Sequence, residues 1–190
     1  MAANRFRDAT LGQMLAAVAA RHAPADAIIA ADRRVSYAEL YREGRRFARA
    51  LLALGIGKDD KVALWLPNRP GWLFAQHGCA MVGAVAVALN TRYKARELAY
   101  ILAQSDATAL LLTDHVGPVD YLETLGEVLP GLKSAVPGEL EAEGYPRLRH
   151  VIVDAEDPYP GCLRLAHVLE LADDDTLDAA VEGAAAAVRP

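Results

Sequence analysis

Two stretches of the chain carry side chains whose types and spacing suit polar chemistry. In Asn90-Thr91-Arg92-Tyr93-Lys94, an amide, a hydroxyl, a guanidinium and a phenol follow directly on the apolar run VAVAL, residues 85–89. If that run is a strand of an α/β sheet, these groups stand at its carboxyl end, where such folds bind ligands. The second stretch is the corner in VALWLPNRPGWLF (62–74), where Pro67-Asn68-Arg69-Pro70 separates two apolar runs. Asn68, Asn90, Thr91 and Arg92 are the candidate substrate-adjacent residues. The tract 90–94 also suits a turn with helix-capping duties, and 67–70 suits a structural bend.

Other chemistry-bearing residues read as structural. There is no G-x-G-x-x-G, Walker A, H-E-x-x-H or G-x-S-x-G motif. Gly55 and Gly57 follow a helical pattern and suit stopping it better than cradling a phosphate. The five histidines are dispersed, without a carboxylate or second histidine at metal-ligand spacing on one helical face. His77 and Cys79 share an apolar helical stretch, but residues two apart on a helix point about 200° away from each other, so a half-buried structural histidine is expected. Asp59, Asp60 and Asp173 to Asp175 read as solvated loop or cap residues. No catalytic residue and no metal ligand is assigned.

The elements that must position the candidates alternate. Thr10 caps a helix over 11–21, two short extended pieces flank an Asp32-Arg33 turn, and Ser36 with Glu39 forms a capping box for a long amphipathic helix. KVALWL (61–66) is a buried strand and Pro70 opens the next helix. Strand 85–89, helix 95–104, strand 108–113, helix 119–129, a surface loop over 129–147, strand 149–154 and a helix over 162–171 follow. This alternation predicts an α/β fold: a parallel, doubly wound, flavodoxin-like sheet of four strands flanked by helices.

Composition narrows the class. The 190 residues suffice for one core, and 53% hydrophobic with 24% charged residues describes an ordered globular chain. A net charge of −5 with scattered Lys and Arg argues against a nucleic-acid partner. Cys79 and Cys162 suggest neither a disulfide framework nor a zinc site, so a cytoplasmic setting is expected. Residues 1–27 lack a signal-peptide apolar core, and the apolar stretch 71–89 is broken by Gln76, His77 and glycines, so no membrane span is expected.

Four pieces in order then carry a likeness: Ser36-Tyr37-x-Glu39-Leu40, the strand ending in Leu66-Pro67-Asn68, Leu89-Asn90-Thr91-Arg92, and Glu97-Leu98-x-Tyr100-Ile101-Leu102. Together, and most densely over Val35 to Asp114, they resemble the opening of acyl-CoA synthetases of the AMP-dependent synthetase and ligase, adenylate-forming, family. The resemblance implies that 1–190 are the N-terminal portion of the large domain, loop-rich over 129–147 and tail-like over 172–190. It further implies that ATP and a carboxylic (fatty) acid give an acyl-adenylate, which the thiol of coenzyme A converts to the thioester, with Mg2+ accompanying the ATP. A homodimer is the assembly expected.

The family's phosphate loop of the type YTSGTTGxPKG, its hinge and its C-terminal lid with the catalytic lysine have no counterpart here. No cofactor is therefore expected on this segment alone. Lys94-Ala95 stands where the family often has Thr or Ser, and a lysine cannot accept the amide bond of a helix cap, at a cost of about 1 kcal/mol, which leaves Thr91 as an alternative helix start. Two other readings stay open: an adenylation domain for amino or aryl acids, and a standalone non-catalytic flavodoxin-like α/β binding module.

Overall fold

The structure, a computed structural model, describes residues 7–173 and 176–189. In chain order its elements are α1 (Leu11–His22), β1 (Asp26–Ile29), β2 (Arg34–Ser36), α2 (Tyr37–Ala53), β3 (Lys61–Trp65), α3 (Pro70–Val82), β4 (Val85–Ala88), α4 (Ala95–Ser105), β5 (Ala109–Thr113), β6 (His115–Val116), β7 (Val119–Asp120), α5 (Tyr121–Val128), β8 (His150–Asp154), β9 (Leu163–Arg164), α6 (Leu165–Glu170) and α7 (Thr176–Ala187). Single 3-10 turns occupy Leu132–Ser134 and Leu171–Asp173. Where one core was expected, the chain divides into two compact units.

The first unit comprises residues up to Asp59, Arg69–Val85 and the chain from Leu171. Its helices α1, α2, α3 and α7 pack on one another, burying Leu15, Phe47, Leu51, Phe74, Met81 and Val181. Thr10 accepts the Gln13 N–H while the Gln13 side chain accepts the Thr10 N–H, a reciprocal box. At α2 only half of the expected box forms: Ser36 accepts the Glu39 N–H at 3.2 Å, whereas the Glu39 carboxylate pairs with Arg33. Pro70 opens α3, as its fixed φ and missing donor suit the first turn. Phe74 is buried there, but Trp72 and Leu73 are only half-buried.

The segment expected to be tail-like instead contains α7, held by the buried Val181 and by Arg45 donating to Asp178 at 2.7 Å. Its alanines form helix readily, and the docking contact is long-range, so local composition hid it. The expectation for Asp174 and Asp175 lies outside the described residues.

The second unit, Asp60–Asn68 and Ala86–Glu170, is built around a five-stranded sheet in the order β4-β3-β5-β8-β9. Register is parallel from β3 to β5 (Val62 beside Ala109), β5 to β8 (Ala109 beside His150) and β8 to β9 (Ile152 beside Leu163). The fifth strand was missed because β9 is two residues long, too short to show periodicity. Ala63, Trp65, Leu110, Leu112, Val151 and Val153 form one core with Leu98 and Leu102 of α4 and Tyr121 and Leu125 of α5. The alternate residues Val62, Leu64 and Leu111 are buried too, which is why these strands read as unbroken apolar runs.

Two further expectations change here, and a third gains detail. Residues 119–120 are not helix but half of a hairpin with β6, turned at Gly117-Pro118 with Gly117 at φ 57°; Asp120 then caps α5 by accepting the Glu123 N–H at 2.9 Å. The helix expected over 162–171 is α6 alone, preceded by β9. The loop 129–147 is anchored by the buried Leu132 and Leu140, with Leu148 buried just beyond it.

Candidate functional site

The sheet's topology marks a candidate ligand edge. Counting only its own strands, the order is 2-1-3-4-5, the flavodoxin order. The chain runs outward from β3 to β4 and then returns to β5 on the other side, so the switch point lies between β3 and β5. Loops at the carboxyl ends of these strands are where such folds bind ligands.

All four sequence candidates fall at this edge, within the second unit. Asn68 is exposed in the loop after β3; Asn90, Thr91 and Arg92 follow β4, the neighbour of β3. Every residue from Leu89 to Lys94 is tied down. The Leu89 N–H donates to the Leu64 carbonyl at 3.0 Å. The Asn90 side-chain oxygen accepts the Arg92 N–H at 2.9 Å, an Asx turn, and its carbonyl accepts the Tyr93 N–H at 3.1 Å. The Lys94 N–H donates to the Glu97 carboxylate at 3.0 Å. Helix α4 thus begins at Ala95 and not at Thr91; lysine supplies no acceptor, and Glu97 provides the remaining half of a capping box.

Two long-range bonds complete the loop. The Trp65 indole N–H donates to the Asn90 carbonyl at 3.1 Å, and the Tyr121 hydroxyl donates to the Thr91 carbonyl at 2.9 Å. The two rings stack with centroids 4.1 Å apart and planes 7° from parallel. Burial pushes the Tyr121 phenol above its ordinary value, so the hydroxyl remains a donor at neutral pH.

The sequence reading passed over a second group at the same edge. After β5, His115 Nδ1 lies 3.0 Å from one Asp114 carboxylate oxygen, and the His115 N–H donates to the other at 2.7 Å. Burial alone would raise the Asp114 pKa, but the His115 amide, the Thr113 hydroxyl and the imidazole together hold it below the usual carboxylate value. The Thr113 hydroxyl sits 3.2 Å from both that carboxylate and the Asp154 carbonyl, joining the ends of β5 and β8. The pair is adjacent in sequence, and a search of helical spacings alone could not reveal it.

His77 and Cys79 lie in the first unit. His77 is buried with its Nδ1 unpaired, and desolvation lowers its pKa. Burial pushes the Cys79 thiol up to about 12, so it holds no thiolate for nucleophilic attack. Among the described residues no three His, Cys, Asp or Glu side chains converge as a metal site. The edge residues hold their loops without forming a glycine cradle, so they do not fit a triphosphate or its Mg2+, and no step through either is derived from them.

The sequence profile described as AMP-binding enzyme matches residues 15–173. The chain belongs to that family. The chain is 40% identical over 145 residues to "Putative acyl-CoA synthetase YngI" of Bacillus subtilis (strain 168), covering 75% of this chain and 26% of that protein. It is 34% identical over 163 residues to the human "Medium-chain acyl-CoA ligase ACSF2, mitochondrial", covering 84% and 26%. The inhibitor-bound N-terminal domain of FACL13 from Mycobacterium tuberculosis superposes with a TM-score of 0.65 at 28% identity, over 85% of this chain and 35% of that one. The anthranilate CoA ligase AuaEII, crystallised with anthranoyl-AMP, shares the fold with a TM-score of 0.71 at 23% identity, over 85% and 28%. The chain spans about a quarter of the length of the curated relatives it matches. No described helix is long and apolar enough to cross a membrane.

Proposed function

We propose that these residues are the N-terminal segment of an acyl-CoA synthetase that activates a fatty acid. The carrying observation is the 40% identity over 145 residues to a relative named as an acyl-CoA synthetase. In this reading ATP and the acid give an acyl-adenylate and pyrophosphate, and the thiol of coenzyme A displaces AMP to form the thioester, with Mg2+ accompanying the ATP. The part played by residues 1–190 is scaffold: a rigid sheet whose carboxyl edge presents Asn68, Asn90, Thr91 and Arg92 toward the acid or nucleotide. Cytoplasmic residence accords with two free, buried cysteines, and a homodimer is the assembly expected, to be measured by light scattering.

The test is to express the whole reading frame that contains these residues and assay acyl-CoA and AMP formation across fatty acids of graded length. Formation of acyl-CoA supports the reading; activation of amino acids alone, or of no acid at all, overturns it. The 190-residue chain alone should give no ATP–pyrophosphate exchange, because its described residues form no phosphate cradle. Exchange by that purified chain would overturn the scaffold assignment.

A further inference from the structure

Trp65 and Tyr121 are fully buried in the core of the second unit, a place where Phe or Leu would fill volume without bringing polar atoms. Each instead directs its one donor to the backbone of the loop after β4, on successive carbonyls, Asn90 and Thr91. Fixing two consecutive carbonyls fixes the peptide planes between them. The directions in which residues 90, 91 and 92 leave the backbone are fixed with them.

The donors are themselves anchored in the sheet and helix. Trp65 ends β3, in parallel register with Leu112 of β5. Tyr121 opens α5, and its own N–H donates at 2.8 Å to the carbonyl of Asp114, in the loop after β5. The stacked pair thus connects the ends of three neighbouring strands, β4, β3 and β5, across the switch point.

We propose that the Trp65–Tyr121 pair is a clamp that holds the Asn90–Arg92 loop in one conformation, making both aromatic residues positioning residues for the ligand contacts of that loop. The ligand part of this assignment rests on the acyl-CoA synthetase reading; the clamp itself does not. A preorganised loop avoids the entropy of ordering three residues when ligand arrives.

Tyr121→Phe removes one oxygen and keeps the ring; Trp65→Phe is the second variant, should the first perturb folding. Amide exchange is measured on the 190-residue chain without ligand. The expected result is exchange about five- to tenfold faster at the Arg92 and Tyr93 amides, with the amides of β3 and β5 unchanged. Unchanged exchange at Arg92 and Tyr93 overturns the clamp. In the product of the whole reading frame, Tyr121→Phe should raise KM for the acid with kcat retained. Faster exchange with unchanged KM overturns the positioning of ligand. A wild-type protein that forms no acyl-CoA overturns the activity reading, and is told apart because exchange is followed without substrate.

Discussion

Gly78→Ala tests the packing of the helical unit most directly. A Cβ at Gly78 would lie 2.5 Å from Phe47 Cβ, 3.0 Å from the Ala48 nitrogen and 3.1 Å from the Phe47 carbonyl carbon. All three atoms belong to α2 at or next to its backbone, so no flexible side-chain end can swing aside. Restoring ordinary contact requires α2 and α3 to separate by roughly 1 Å, which also loosens the approach of Gly44 to His77 and Met81. Overpacking of this kind costs about 3 kcal/mol at the upper end of the usual range. The helix-propensity gain of alanine over glycine returns at most about 1 kcal/mol, leaving a net loss of about 2 kcal/mol. With a urea slope of about 2 kcal/mol/M, the unfolding midpoint should fall by about 1 M. Gly126→Ala in α5, where an added Cβ meets nothing within 4 Å, is the control and should gain about 0.5–1 kcal/mol. A Gly78→Ala chain as stable as wild type would refute the close approach of the two helices.

Burial lowers the His77 pKa below its ordinary 6.5, so the unfolded state binds the extra proton. Its contribution to stability is therefore present above that value and lost as pH falls from 6.5 toward the lower native pKa; His77→Gln should lose less stability than wild type between about pH 7.5 and 5.5 by urea titration, and parallel losses would contradict this. Burial pushes both the Cys79 and Cys162 thiols to about 12, so a thiol reagent should label neither quickly in the native chain and both in guanidinium, with rapid native labelling the contrary result. Val181→Asp should undock α7, read as faster amide exchange across 176–187 with α4 and α5 unaltered; unchanged exchange there would remove Val181 as its anchor.

The βα alternation was legible because each main strand is an apolar run between breakers, and because helix starts carry local chemistry, such as Pro70 at α3 and Ser36 at α2. The sites where the sequence misled share a different physics. Strand β9 and the β6–β7 hairpin are too short to show a period, and neighbouring backbone holds them in place. Helix α7 looks like an acidic, alanine-rich tail until Arg45, distant in the chain, is set beside Asp178. The four candidate site residues could be placed at a sheet edge by their position after strands, but what shapes their loop could not. Trp65 and Tyr121 stand 25 and 30 residues from their acceptors, a separation that no local pattern encodes.

The helical unit is closed by its last segment, and this bears on how the chain is made. Helices α1, α2 and α3 have all been synthesised once Val82 has left the ribosome, yet the face of α2 and α3 on which α7 packs meets Val181 only after about a hundred further residues. At ordinary rates of synthesis that interval is about 5–20 s. The residues of the sheet unit, which run to Glu170, are all made before it ends. During translation the face of α2 and α3 that α7 covers is therefore open, a window in which a chaperone, or a premature contact with another nascent chain, would compete with α7.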